Sequence, residues 1–160
     1  MTGRAHHYRT RIDWSGDPGT IDYAAYSRDH LLRIDGKPDV AMSADPSFRG
    51  NSARANPDEL LVAALSSCHM LWYLDLCARA GVVVIHYSDD AEGIIREEAA
   101  TGGRFERVVL RPRASIAAGD ADKARELHYE AQRLCFIVNS VNFPVECEAE
   151  IEFVAGACRG

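Results

Sequence analysis

The chain alternates polar and apolar positions in two different rhythms. From His7 to Trp14 every second residue is apolar or bulky: Tyr8, Thr10, Ile12 and Trp14 share one face, which predicts a strand. Gly16 to Gly19 breaks it, and Ile21–Ser27 and His30–Asp35 read as further strands, with a turn at Asp35-Gly36. Ser43 to Ala55 is polar, contains Pro46, Gly50 and Asn51, and predicts a loop. The rhythm then changes to helical. Asn56 suits an N-cap, Pro57 the first helical position and Glu59 the third, as in a capping box; Gly81 supplies the stop. Between them the segment from Leu60 to Ala80 is apolar nearly all round, which predicts a helix buried on most sides.

Val82–Tyr87 is β-branched and strand-like, and Gly93–Arg96 reads as its continuation past Asp89-Asp90. Phe105–Leu110 and Arg113–Ile116 read as one strand interrupted at Pro112. A second helix follows Asp120, with Ala124, Leu127, Ala131, Leu134, Cys135 and Val138 on one seam, and is expected to end near Asn139. Finally Val145, Cys147, Ala149, Ile151 and Phe153 alternate with four glutamates, which predicts one half-buried strand. The order predicts an α+β fold with two prominent helices packed on antiparallel sheet, in a single domain over residues 1–154 followed by a flexible tail, 155–160.

Composition narrows the partners. A net charge of −6 with no basic stripe argues against nucleic acid. The N-terminus has no apolar signal region, and no apolar run is read as long enough to span a bilayer, so a cytoplasmic protein is expected. Five cysteines without a CxxC fit free thiols in a reducing compartment better than a disulfide framework.

Cys68 sits mid-helix among Ser66, Ser67 and His69, three polar groups where the rest is apolar. A core cysteine is the ordinary alternative to a reactive one. Cys68 lies about 15 Å from the helix start, beyond reach of the macrodipole, so a cation from elsewhere would have to form the thiolate. Cys77, nine residues on, falls on the opposite helix face; Cys147 points inward on the last strand and Cys158 lies in the tail. Cys135, on the seam of the second helix, faces Cys68 if the two helices pack, either as a resolving thiol or as core. Cys68, His69, His128 and Cys135 are all metal-ligand types, but their spacing matches no standard zinc motif, and no metal is expected. His69 as a base for Cys68 is disfavoured, because adjacent helical residues diverge in direction.

The run Asn56-Pro57-Asp58-Glu59-Leu60-Leu61-Val62-Ala63-Ala64-Leu65-Ser66-Ser67-Cys68-His69 resembles the signature of the OsmC/Ohr family of organic hydroperoxide reductases. The segment from His128 through Cys135-Phe136 to Pro144-Val145 resembles that of an OsmC-like branch, and the resemblance extends over His6 to Phe153. It implies antiparallel sheets wrapped around two long central helices in an intertwined homodimer. It implies reduction of organic hydroperoxides by a Cys68–Cys135 pair, reset by an external dithiol of lipoyl type, with no bound cofactor. It also implies an activating arginine held by the acidic helix start: by position Arg28, with Arg49 as runner-up, and Asp58 followed by Glu59 as the acid. Three departures stand out: Asp58 where the family has glutamate, Phe136 where well-studied members have proline, and early strands that differ from the Ohr pattern. The apolar residues Leu61, Leu65, Trp72, Phe136 and Phe143 are candidates for holding an alkyl group. Because Asp58 and Cys68 lie about 15 Å apart on one helix, a site shared between two chains is expected.

Overall fold

The computed structural model describes residues 3–154; the expected tail and Cys158 lie outside them. The chain divides into two compact units, residues 1–60 and 61–160.

The first unit is built on a three-stranded antiparallel sheet of β1 (Arg11–Asp13), β2 (His30–Arg33) and β3 (Val40–Met42). Gly36, at φ 75°, turns the β2–β3 hairpin where Asp35-Gly36 predicted it. The strand expected over Ile21–Ser27 is absent, and the segment is a series of bends and turns. Asp22 explains this: its carboxylate and its carbonyl accept the Ala24 and Ala25 amides, at 2.9 and 3.1 Å, and this local turn wins over extension. The loop before the long helix holds one short 3-10 turn, Pro46–Phe48.

Helix α1 (Pro57–Arg79) starts as the sequence predicts. The Asn56 side chain accepts the Glu59 amide at 2.9 Å, and the Glu59 carboxylate accepts the Asn56 amide at 3.0 Å. Gly81, at φ 72°, follows its end. The expected burial on most sides is not found. Only Leu65, His69, Tyr73 and Cys77, a stripe at four-residue spacing, are fully buried, while Leu71 is 61% exposed. By length and composition α1 is also apolar enough to cross a membrane, against the expectation that no such run exists; its stripe instead packs on the sheets and second helix of the second unit.

The second unit contains two three-stranded sheets. Strands β4 (Val83–Asp89) and β5 (Glu92–Arg96) fall in different sheets, as do β6 (Arg104–Leu110) and β7 (Pro112–Ala118). Each pair, expected as one strand, is thus a long ribbon that changes sheet at its middle. The Asp89 carboxylate pins the two corners together: one oxygen accepts the Arg111 amide at 2.7 Å and the other the Ser66 hydroxyl at 2.5 Å. Helix α2 (Ala121–Leu134) is capped by Asp120, which accepts the Lys123 amide at 2.8 Å. It ends five residues before the expected Asn139. Cys135 turns extended, and the Asn139 side chain donates to the Arg133 carbonyl at 3.1 Å, closing the last turn.

The final strand also changes sheet, as β8 (Val145–Cys147) on β6 and β9 (Glu150–Phe153) on β7. Both pairings are parallel, which corrects the all-antiparallel expectation. The cause is connectivity: α2 carries the chain from the end of β7 back to the start of β8 and β9, and a crossover of this kind returns strands in the same direction. Tyr73 and Cys77 of α1 pack with Ala124, Leu127 and Ala131 of α2 over Ala114 and Ile116 of β7. Leu65 packs with Val108 and Leu110 of β6 in a second cluster.

Candidate active site

Cys68 and Cys135 come together in the second unit. α1 presents Cys68, half-buried, and the chain leaving α2 presents Cys135, fully buried. Burial pushes the Cys135 thiol up to about 11, and its contact with Cys68 adds to the shift. The Val138 amide points at the Cys135 sulfur at 3.5 Å. No disulfide joins them; both are free thiols. Cys77 lies elsewhere, buried in the core beside Tyr73, as its opposite-face position predicts.

An aromatic pair flanks the thiols. Trp72 lies one helical turn beyond Cys68, Phe136 follows Cys135, and their rings meet edge to face at 5.7 Å. Phe136 is 67% exposed. Of the other apolar candidates, Leu65 is fully buried core and is not free to meet a ligand; Phe143, half-buried, stacks on Phe105 at 5.2 Å and lines a separate pocket with Arg96, Arg104 and Glu106; Leu61 is half-buried.

The arginine and acidic candidates belong to the first unit. Arg28 donates to the carbonyls of Tyr26 and Tyr23, at 2.5 and 2.7 Å, and its guanidinium lies over both rings, 3.7 and 4.7 Å from their centroids. Arg28 and Asp58 line one open groove of about 510 Å3 together with Trp14, Tyr26, His30 and Phe48. Arg49 donates to the Ala24 carbonyl at 3.1 Å. Of the two acidic candidates, Glu59 is occupied at the helix cap and Asp58 lines the groove, as does Asp45, whose carboxylate accepts from Ser47.

A second constellation lies one residue from Cys68. His69 on α1 and His128 on α2 are both buried, with His69 Nε2 and His128 Nδ1 3.0 Å apart. Tyr73 stacks on His128 at 3.7 Å between centroids. Cys147 of β8 places its sulfur 3.8 Å from His69 Nε2. Burial lowers the pKa of both imidazoles, His128 to about 3, where the neighbouring His69 adds to the effect; Asp89 opposes the shift at His69. Burial, Asp89 and Glu148 push the Cys147 thiol up to about 12. In the sequence His69 and His128 group with Cys68 and Cys135 as metal-ligand types, and Cys147 stands apart as an inward position of the last strand; the structure instead joins Cys147 to the two histidines.

The profile of the OsmC-like protein family matches residues 50–150. The chain belongs to that family. An OsmC-like protein of unknown function from Vibrio cholerae is 30% identical, with a TM-score of 0.84 over 91% of this chain and 100% of that one. Another relative, Bacillus subtilis (strain 168) YmaD, itself uncharacterised, is 24% identical over 94% of this chain and 97% of its own length. An organic hydroperoxide resistance protein from Elizabethkingia anophelis shares the fold at a TM-score of 0.67 and 18% identity, over 94% of this chain and 100% of that one. The OsmC-like fold therefore accounts for the three strand ribbons and both α-helices that pack with them.

Proposed function

We propose that this OsmC-like chain is a cytoplasmic thiol peroxidase that reduces organic hydroperoxides to alcohols. The observation that carries the reading is the meeting of an accessible thiol, Cys68, with a buried one, Cys135, across two separate elements. The Cys68 thiolate attacks the terminal peroxide oxygen; the O–O bond breaks, the leaving alkoxide takes a proton, and sulfur retains the oxygen as a sulfenic acid. The Cys135 thiol then condenses with it, an S–S bond forms and water leaves. An external dithiol, of lipoyl type in this reading, reduces the disulfide, so the cycle needs no metal or bound cofactor. Trp72 and Phe136 supply an apolar wall suited to an alkyl group. Activation is assigned to Arg28, steadied by Asp58, with Arg49 as the alternative; assays of Arg28→Met and Arg49→Met separate them.

Titration of free thiols before and after one equivalent of cumene hydroperoxide tests the cycle. A catalytic pair loses two thiols; a binding protein with structural thiols loses none, and that result refutes the reading. We also infer a homodimer, because α1 leaves apolar surface such as Leu71 exposed. Sedimentation should give a dimer that Leu71→Glu dissociates. If the site is shared between chains, mixing inactive Cys68→Ser with inactive Asp58→Ala protein and allowing subunits to exchange restores activity.

A further inference from the structure

The His69, His128 and Cys147 cluster takes no part in the peroxidase cycle, yet its geometry is that of a ligand set. The three donor atoms, one from each residue, lie within 4.8 Å of one another. Zinc bound tetrahedrally, with Zn–N about 2.0–2.1 Å and Zn–S about 2.3 Å, needs nitrogens about 3.3 Å apart and nitrogen to sulfur about 3.6 Å. The observed separations are 3.0 Å for His69 Nε2 to His128 Nδ1 and 3.8 Å for His69 Nε2 to Cys147 Sγ. The two separations from His69 Nε2 thus lie within a few tenths of an ångström of these values, and the remaining one, His128 to Cys147, is within 4.8 Å, so it closes by about an ångström at most.

The bare cluster is poorly satisfied. One hydrogen bond joins the two rings, and His69 Nδ1 and His128 Nε2 are buried without a partner among the described residues. Whichever tautomers the pair adopts, one of these outer nitrogens carries an unpaired N–H. Coordination through His69 Nε2 and His128 Nδ1 would replace that single ring-to-ring bond with three metal–ligand bonds; it would leave both outer nitrogens protonated, so the metal–ligand bonds must offset two unpaired N–H groups rather than one. The electrostatics agree. A buried dication requires compensating charge, and a Cys147 thiolate together with Asp89, which acts electrostatically on both His69 and Cys147, balances two positive charges. Asp89 is held by Ser66 and the Arg111 amide, so it acts as a fixed outer charge. The ligands come from α1, α2 and β8, so a metal would tie three elements of the second unit together.

We propose that His69 Nε2, His128 Nδ1 and Cys147 Sγ form a zinc(II) site, with a fourth position open to water or a small ligand. It is distinct from the Cys68–Cys135 pair, and it stands whether or not that pair proves to be a peroxidase.

Cobalt(II) serves as the probe, added to full-length protein freed of metal by a chelator and kept reduced. The expected result is one equivalent bound, with the intense visible bands of a tetrahedral ion and a thiolate charge-transfer band. Cys68→Ser and Cys135→Ser should keep the spectrum, Cys147→Ser should lose the thiolate band, and His128→Ala should lose the tetrahedral bands; zinc should displace the cobalt. X-ray absorption at the zinc edge of the wild-type complex should show one sulfur and two imidazoles, a readout that stands even where a variant fails to fold. No cobalt binding by folded wild-type protein, a thiolate band that survives Cys147→Ser, one that vanishes with Cys68→Ser, or a two-sulfur zinc shell each overturns the proposal.

Discussion

Cys68 and His69 are neighbours on one helix and live in different chemistry. Cys68 is half-exposed and meets a second sulfur at the point where α2 has just ended. His69 is fully buried and meets an imidazole from the body of α2 and a thiol from β8. The turn of about 100° between successive helical residues separates them. The first pair has an accessible sulfur and sits where a helix has ended, which suits bond making and breaking. The second set is held by aromatic stacking, helix packing and a parallel strand, which suits a fixed arrangement. The two thiols and two imidazoles that the sequence offers as ligand types are thus divided between a thiol pair with one accessible member and a fully buried histidine set.

The sharpest way to break this division is to remove one sulfur. Cys68→Ser should lower peroxide turnover roughly a thousandfold or more, because no other group replaces the nucleophile. Cys77→Ala, at a site that belongs to neither set, should keep turnover within a few-fold. Peptide mapping of the oxidised wild type should find a Cys68–Cys135 link. A Cys68–Cys147 link would merge the two sets and end the comparison.

The next largest effect concerns stability. His128→Ala removes a buried ring that stacks on Tyr73 and leaves His69 without its partner. A loss of about 2–4 kcal/mol is expected in urea unfolding of metal-free protein, from the cavity and the unsatisfied group together. A change below about 0.5 kcal/mol would mean that the core closes over the gap and the ring is not part of a fixed arrangement.

The sequence disclosed these two sets unequally, for physical reasons. The start of α1 was legible because Asn56, Pro57 and Glu59 state a cap with local chemistry alone, and the cap forms as read. The proximity of Cys68 and Cys135 required only that two seams face each other. The histidine set required knowing that the chain, after α2, returns parallel to β6 and brings Cys147 beside α1; alternation along the last strand shows which way Cys147 faces but not what it faces. The interruptions at Asp89-Asp90 and Pro112 were legible, but the change of sheet there was not, since it is fixed by a contact between residues far apart in sequence. Around Asp22 the opposite happened: Ile21–Ser27 reads as a strand, and a local turn prevailed.

The smallest expected effect per step, and the one that reads the buried set most directly, is acid sensitivity of the metal-free protein. Both imidazoles have folded pKa values below 6.5, because burial penalises the charged ring. A base whose folded pKa is depressed is protonated first in the unfolded chain. Its stabilising contribution is therefore complete above pH 6.5 and is lost as the pH falls below that value, until the folded pKa, about 3 for His128, is reached. Well below pH 6.5, the slope for a depressed histidine approaches about 1.4 kcal/mol per pH unit. The groups that face the two rings are Tyr73 on α1, Tyr87 and Asp89 on β4 and Cys147 on β8. Burial keeps both tyrosines and Cys147 neutral through this range, so Asp89 is the charged neighbour that moderates the shift at His69. Unfolding free energies measured from pH 7.5 to 4.5 should fall more steeply for the wild type than for His128→Phe, which removes one of the two bases while keeping a ring against Tyr73. Equal slopes for the two proteins would mean that the imidazoles are hydrated or already charged, and the contrast between an open thiol pair and a dry histidine set would fail.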